Sequence, residues 1–221
     1  MTERRQEARS PGPSGPSGPR LAVPPPEAIR ELAPFPGIDP SRIRLVASRD
    51  EARHAHAALA GETHLGFDTE SRPTFVRGER SEGPHVVQFA TLDEAWVFQL
   101  NADGVSEVVA SLITSDAVTK VGFGLDGDRT QIRGRLGIEP VAVLDLDTVF
   151  RALGYRRSIG VKAAIAVLFN RRLVKSKRIG TSNWSNRRLD DRQLQYAAND
   201  AWAAIQVHAA LMRVGSLAGT S

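Results

Sequence analysis

Two carboxylates two residues apart, Asp68 and Glu70, stand at the end of an apolar segment of the sequence. The preceding residues, 65–67, are Leu, Gly and Phe, which predicts a buried strand. Side chains two apart on a strand point to the same face, at a spacing of roughly 6.6 Å. Two carboxylates near a core are costly unless they are neutralised, and oxygen-only ligands suit Mg²⁺ or Mn²⁺. The pair predicts a metal site, with two solvated side chains beyond the strand as the alternative.

A second candidate pair lies in the predicted C-terminal helix. Tyr196 and Asp200 are four residues apart, which places them on one helix face, and the residues between them are small enough for close approach. Asp200 lies in an otherwise apolar stretch, where a carboxylate needs a partner. The alternative is a surface aspartate beside a core tyrosine.

Two further aspartate pairs are candidates. Asp126 and Asp128 follow a predicted strand and open a predicted helix, where either could serve only as a cap, since helix N-termini favour negative charge. Asp145 and Asp147 form another same-face pair in an extended segment, and they compete for a metal-binding role.

Taken in order, five of these residues resemble the signature of the DEDDy-type 3′-5′ exonuclease family, which includes ribonuclease D and the Werner-type exonuclease: Asp68, Glu70, Asp128, Tyr196 and Asp200. FDTE is similar to the first motif and YAAND to the third. In VGFGLDGD the family's aspartate follows a glycine, which selects Asp128 for the second motif. The resemblance spans roughly residues 42–214 and departs from the family at Ser71, where relatives often have Trp.

The resemblance implies a metal-dependent 3′-5′ exonuclease with a ribonuclease H-like fold, which hydrolyses phosphodiester bonds at the 3′ end of DNA or RNA and releases nucleoside 5′-monophosphates. It implies two divalent cations, Mg²⁺ or Mn²⁺, in which Asp68 touches both metals. By the same resemblance, Glu70 and Asp200 complete the site of the metal that activates water, Asp128 supports the other metal, and Tyr196 orients the attacking water. The alternatives are a non-catalytic nucleic-acid-binding module and a metal hydrolase acting on small phosphorylated molecules.

A basic segment precedes the predicted catalytic helix. Residues 171–188 carry seven Lys and Arg residues and no acidic residue. Phosphate contacts from such a segment position a strand without reading its sequence, and Trp184 within it could stack on a base or pack in the core. Asp190 and Gln193 have the spacing of a helix-capping box. We expect the nucleic-acid contacts to come from Thr69, Lys175, Lys177, Arg178, Trp184, Arg187 and Arg188.

The composition limits the remaining possibilities. The 221 residues include no cysteine, which excludes disulfides, thiolate zinc sites and a cysteine nucleophile. No apolar run has the length of a membrane span and no signal-peptide pattern is present, so we expect a cytoplasmic protein. The formal net charge of +4 favours a polyanionic partner. Nothing in the sequence identifies a protein partner or distinguishes DNA from RNA.

The elements that must position these residues are predicted as follows. Residues 1–27 are rich in Pro, Gly and Ser and are expected to be a disordered tail, followed by a transition segment over 28–42. The exonuclease domain is expected over 43–215 and a C-terminal tail over 216–221. Consecutive strands followed by alternating strands and helices predict an α/β fold, with a mixed central β-sheet flanked by helices on both faces.

Overall fold

The computed structural model describes residues 23–74, 81–155 and 157–218. Most of the predicted N-terminal tail (1–22) and the end of the predicted C-terminal tail (219–221) lie outside these residues. The described strands are β1 (Ile43–Val46), β2 (His64–Glu70), β3 (Val86–Ala90), β4 (Ala95–Gln99), β5 (Thr119–Gly122) and β6 (Val143–Asp145). The described α-helices are α1 (Pro26–Glu31), α2 (Arg49–Leu59), α3 (Val105–Thr114), α4 (Asp126–Leu136), α5 (Leu146–Ala152), α6 (Val161–Phe169), α7 (Lys177–Gly180) and α8 (Asp191–Ala218).

The strands form one mixed sheet in the order β1-β4-β3-β2-β5-β6. β2, β3 and β4 pair antiparallel, while the pairs β1–β4, β2–β5 and β5–β6 are parallel. This confirms the predicted α/β fold with helices on both faces. Among the described residues, no helix has both the length and the apolar character needed to cross a membrane.

β2 lies inside the sheet and separates two apolar cores. Leu65 and Phe67 face the first core, to which helices α2, α3 and α4 contribute. The alternate residue Gly66 faces α8, which covers the second core together with α6. This alternation follows from the two-residue period of a strand, and it continues to Asp68 and Glu70 at the carboxyl end.

The contact between β2 and α8 depends on a glycine. A Cβ atom at Gly66 would lie 2.0 Å from the carbonyl oxygen of Ala201, so a larger residue would force the helix away from the strand. The start of α8 is fixed by the predicted capping box: the Asp190 N–H donates to Gln193 Oε1 at 3.2 Å, and the Gln193 N–H donates to Asp190 Oδ1 at 2.8 Å. Strand and helix are thus held at close range.

The predicted transition segment, residues 28–42, packs against α8. The Ile38 N–H donates to Asn199 Oδ1 at 3.0 Å, and Gln195 Nε2 donates to the Ile38 carbonyl at 2.9 Å. Phe35 packs against the second core. We call residues 32–38 the N-terminal strap, because they pack on α8 and hydrogen-bond to Asn199 and Gln195.

Candidate active site

The first two acidic residues stand where β2 ends. Asp68, Thr69 and Glu70 are each half-buried, and Asp68 lies opposite Gln88 of β3 in the strand register. The Thr69 N–H donates to Asp68 Oδ1 at 2.9 Å, which orients that carboxylate. The Thr69 hydroxyl, which was predicted to touch nucleic acid, donates to Asp128 Oδ1.

The third acidic residue comes from the start of α4. Asp128 is half-buried and receives the Thr69 hydrogen bond, whereas Asp126, two residues earlier, is exposed. The structure therefore places Asp128, and not Asp126, with the carboxylates of β2. The assignment of the second motif to Asp128 agrees with this geometry.

The competing aspartates are used for local structure. Asp145 accepts hydrogen bonds from the N–H groups of Gly124 and Leu125, at 3.1 and 3.0 Å, and caps α5. Asp147 accepts from the Ile159 N–H at 2.7 Å. Residues 146–152 are helical, so the expected same-face strand pair does not form.

The helical pair faces the end of β2. Tyr196 and Asp200 lie one turn apart on α8, and Asp200 is only 6% exposed. Lys175, from the segment between α6 and α7, places its Nζ 2.6 Å from Asp200 Oδ2 and 5.2 Å from the centroid of the Tyr196 ring. Lys175 was predicted to contact phosphate; here its ammonium group is bound by a carboxylate of the site.

The four carboxyl groups lie close enough to affect one another's pKa values. Burial raises the pKa of Asp68 well above its usual range, and the negative charges of Asp200 and Asp128 raise it further. Burial, reinforced by Asp68, raises the pKa of Glu70 to about 9. Burial also raises the pKa values of Asp128 and Asp200, the latter against the opposing charges of Lys175 and Lys162. The positive charge near these four carboxyl groups is therefore too small to compensate their negative charges when they ionise.

Two neighbouring groups respond to that negative charge. Burial lowers the pKa of Lys175, but Asp200 and Asp68 outweigh it, and the net result lies above the usual value. Burial and Asp200 together raise the pKa of Tyr196 to about 12. A phenol with this pKa keeps its proton at neutral pH and can orient a ligand but cannot act as a base.

The donor chemistry of this cluster fits a hard divalent cation. Every convergent ligand atom is a carboxylate oxygen, and the main opposing charge is the single ammonium of Lys175. Within the described ranges, no three acidic or histidine side chains already surround one point as a ligand set. These side chains would have to turn in order to surround a cation.

The predicted contact of Trp184 with nucleic acid is wrong, because the side chain is buried. Its side chain is 1% exposed, its Nε1–H donates to the Gly180 carbonyl at 3.2 Å, and its ring centroid lies 6.0 Å from that of Tyr196. An indole so enclosed cannot stack on a nucleic-acid base, so Trp184 supports Tyr196 from within the core. Gly180 leaves room for the same tyrosine, because a Cβ atom there would lie 2.7 Å from Tyr196 Oη.

A cavity of about 620 Å³ opens beside Tyr196. Lys175 and Lys177 of the basic segment line it, together with Lys162 from the first turn of α6. The other predicted nucleic-acid contacts, Arg178, Arg187 and Arg188, are exposed side chains outside this lining.

Two polar residues of this region were not expected from the sequence. Lys162 is a lone charge at the start of an apolar helical segment, and only its position before that segment marks it. Gln88, opposite Asp68, is fully buried with neither amide atom hydrogen-bonded among the described residues. A glutamine inside an apolar strand, VVQFA, was the available signal.

Comparisons with known proteins bear on this geometry. A 3′-5′ exonuclease of Arabidopsis thaliana is 29% identical over 177 residues, covering 79% of this chain and 60% of that protein. The EXO domain of Aedes aegypti Nibbler has a TM-score of 0.69 at 23% identity, covering 80% of this chain and 89% of that one. Trypanosoma brucei RNase D in complex with RNA U12 has a TM-score of 0.67 at 21% identity, covering 84% of this chain and 64% of that one.

The two solved structures share the fold. The chain spans between 11% and 60% of the length of the curated relatives that it matches. The sequence model of a family described as 3′-5′ exonuclease matches residues 43–215, which contain all five motif residues. On this match, the chain belongs to the 3′-5′ exonuclease family.

Proposed function

We propose that this protein is a 3′-5′ exonuclease that hydrolyses the terminal phosphodiester bond of a nucleic-acid strand and releases nucleoside 5′-monophosphates. One observation carries the proposal: the carboxylates of Asp68, Glu70, Asp128 and Asp200 converge beside Tyr196 in a chain of the exonuclease family. Such a cluster is costly for the fold, because buried like charges repel one another. A function in which these carboxylates bind cations would account for the presence of the cluster.

The exonuclease family uses divalent metal ions. We propose two of them here, Mg²⁺ or Mn²⁺, held by Asp68, Glu70, Asp128 and Asp200. When bound, they supply Lewis-acid stabilisation of the phosphoryl oxygens and lower the pKa of a coordinated water. The raised pKa values of the four carboxyl groups imply that cation binding releases protons.

The residues of the chain position the reacting groups. Tyr196, protonated at neutral pH, offers its hydroxyl as a hydrogen bond that orients the attacking water. Lys175 is paired with Asp200, and if a cation took over that carboxylate, the Lys175 ammonium would be free to contact the scissile phosphate. The Thr69 hydrogen bond keeps Asp128 turned toward β2.

A nucleic-acid substrate is supported by the cavity lysines beside this site and by the net charge of +4. The T. brucei RNase D of the same fold was solved in complex with RNA. Either RNA or DNA is compatible with recognition through phosphates alone, because phosphates are common to both.

The test is hydrolysis of single-stranded DNA and RNA of equal sequence, labelled at the 5′ end, with Mg²⁺, Mn²⁺ or EDTA. We expect a ladder that shortens from the 3′ end with either metal and is absent in EDTA. Thin-layer separation of the products should show nucleoside 5′-monophosphates.

Paired variants make the test specific to the site. Asp128→Ala should abolish the ladder, while Asp126→Ala, which removes an exposed carboxylate two residues away, should retain it. If neither strand is shortened but both are still bound, the protein is a binding module on a nuclease fold. Cleavage of small phosphorylated molecules without any ladder would instead indicate a different metal hydrolase.

A further inference from the structure

The charged side chains that line the cavity beside Tyr196 are all positive. Lys162, Lys175 and Lys177 line it, and its remaining walls are the Tyr196 ring and the apolar first turn of α6. No acidic side chain of the described residues belongs to this lining. With a volume of about 620 Å³, the cavity is large enough for a nucleotide-sized group.

Two of the three lysines are available to a ligand. Lys175 is bound to Asp200, whereas Lys162 and Lys177 are exposed and form no ion pair within the described part of the chain. Lysines brought together from separate elements, α6 and α7, repel one another unless an anion lies between them. The N-terminus of α6 adds to this field, because Gly160 provides no side-chain cap for its first N–H groups.

The cavity is continuous with the carboxylate cluster. Tyr196 and Lys175 belong to both, and the charge of Lys162 interacts with the carboxylate of Asp200. A strand whose terminal phosphodiester lies at the carboxylates therefore has its neighbouring phosphate within reach of the cavity, since successive phosphates are a single nucleotide apart.

We propose that this cavity is a phosphate-binding subsite, in which Lys162 and Lys177 hold a backbone phosphate next to the scissile one. This inference rests on the proposed function, since it takes the ligand to be a nucleic-acid strand. It adds a residue from α6 that lies outside the basic segment of residues 171–188. Because the contacts are made to phosphate, the subsite binds DNA and RNA sequences alike.

The test is the salt dependence of binding. A fluorescent single-stranded 12-mer is titrated, by anisotropy, with protein in the Asp68→Ala background, so that cleavage does not consume the strand. Each phosphate contact contributes about 0.7 to the slope of log K against log[salt] for single strands. Lys162→Met should therefore make the slope shallower by about 0.7, and should weaken binding about fivefold at low salt.

A matched control separates a contact from a change in net charge. Arg53→Met removes one positive charge from an exposed side chain on α2, on the opposite face of the sheet, and should leave the slope unchanged. Lys162→Arg should keep the wild-type slope, because it keeps the charge. The double variant Lys162→Met/Lys177→Met should lose about twice as much slope as Lys162→Met alone.

Equal slopes for Lys162→Met and Arg53→Met, with both proteins folded by thermal melting, would overturn the subsite. So would a slope change that appears only with a nucleoside 5′-monophosphate as ligand, since that outcome places the product there instead of the strand. Failure of the proposed function is a separate result. If the wild-type protein hydrolyses no strand but Lys162→Met still makes the salt slope shallower, the subsite is retained without the exonuclease activity.

Discussion

The two faces of β2 differ in what they bury. On one face, Leu65 and Phe67 pack into a core of aliphatic and aromatic side chains under α2, α3 and α4. On the other, Asp68 and Glu70 meet α8 with their charges largely uncompensated. Adjacent residues of one strand therefore have opposite effects on the free energy of folding, because apolar burial is favourable and burial of like charges is not.

The difference indicates a division of labour across the sheet. The apolar face contributes stability that offsets the cost of burying the acidic face, and Gly66 allows β2 and α8 to approach closely beside the acidic residues. Substitutions on the two faces should therefore separate stability from activity.

The largest effect is expected from neighbouring substitutions on the two faces. Asp68→Asn should lower the rate of 3′-end hydrolysis more than about 100-fold, because it removes a carboxylate proposed to hold the cations that stabilise the transition state. Its melting temperature in EDTA should not fall, since the raised pKa of Asp68 already favours an uncharged side chain at this position. Phe67→Ala should cost about 3–5 kcal/mol of unfolding free energy, or roughly 10 °C in melting temperature. Calorimetry and a hydrolysis assay on both variants test the contrast.

A destabilised Asp68→Asn protein would contradict the division between the faces, because it would show that the carboxylate holds the fold together. Residual activity of Phe67→Ala, measured well below its melting temperature, should stay within a few-fold of wild type.

A smaller effect is expected at Gly180. Gly180→Ala places a methyl group 2.7 Å from the former position of Tyr196 Oη, so the phenol must move. We expect kcat to fall about tenfold, since sub-ångström misplacement of a positioning group is costly in rate. Single-turnover hydrolysis measures this directly.

Gly134→Ala is the matched control, because a Cβ atom at Gly134 meets nothing within 4 Å and the residue lies in α4, away from Tyr196. It should keep wild-type kcat. Wild-type kcat in Gly180→Ala would show that the position of the phenol does not limit the reaction.

A further effect, confined to the metal-free protein, is expected in the pH dependence of stability. The pKa of Glu70 is about 9 in the folded protein, against an ordinary value of 4.5, so the folded state binds the extra proton between these values. Stability in EDTA should therefore fall as the pH rises through this window, by the linkage of proton binding to folding. Melting temperatures measured between about pH 5 and pH 9 test the sign.

Saturating Mg²⁺ should raise the melting temperature, and more so at high pH, because the cation binds the ionised carboxylates. Glu70→Gln should flatten the decline in EDTA, whereas Asp126→Asn should leave it unchanged. A melting temperature that rises with pH in EDTA would contradict the shifted pKa of Glu70.

The sequence was informative where side-chain periodicity determines the outcome. Alternation in LGFDTE placed Asp68 and Glu70 on one face, and the four-residue spacing placed Tyr196 with Asp200. Asp190 and Gln193 formed the predicted capping box. Each of these relations depends on local geometry, which a short window of sequence contains.

The sequence was uninformative where contacts join distant segments. The sequence around Trp184 does not distinguish an exposed side chain from a buried one. Its burial depends on the packing of α7 against α8. Lys175 and Lys162 reach the site through loop and helix placement, which no spacing encodes. Asp145 and Asp147 were misplaced for a related reason: a three-residue strand followed at once by a helix has no clear period.

The N-terminal strap has a consequence for how this protein is divided. The match to the family begins at residue 43, but Ile38 is already hydrogen-bonded to Asn199, the neighbour of Asp200. The region matched by the family and the region hydrogen-bonded to α8 therefore have different borders. A fragment that begins at residue 43 would keep every acidic motif residue and yet lose the N-terminal strap, with its hydrogen bonds to α8.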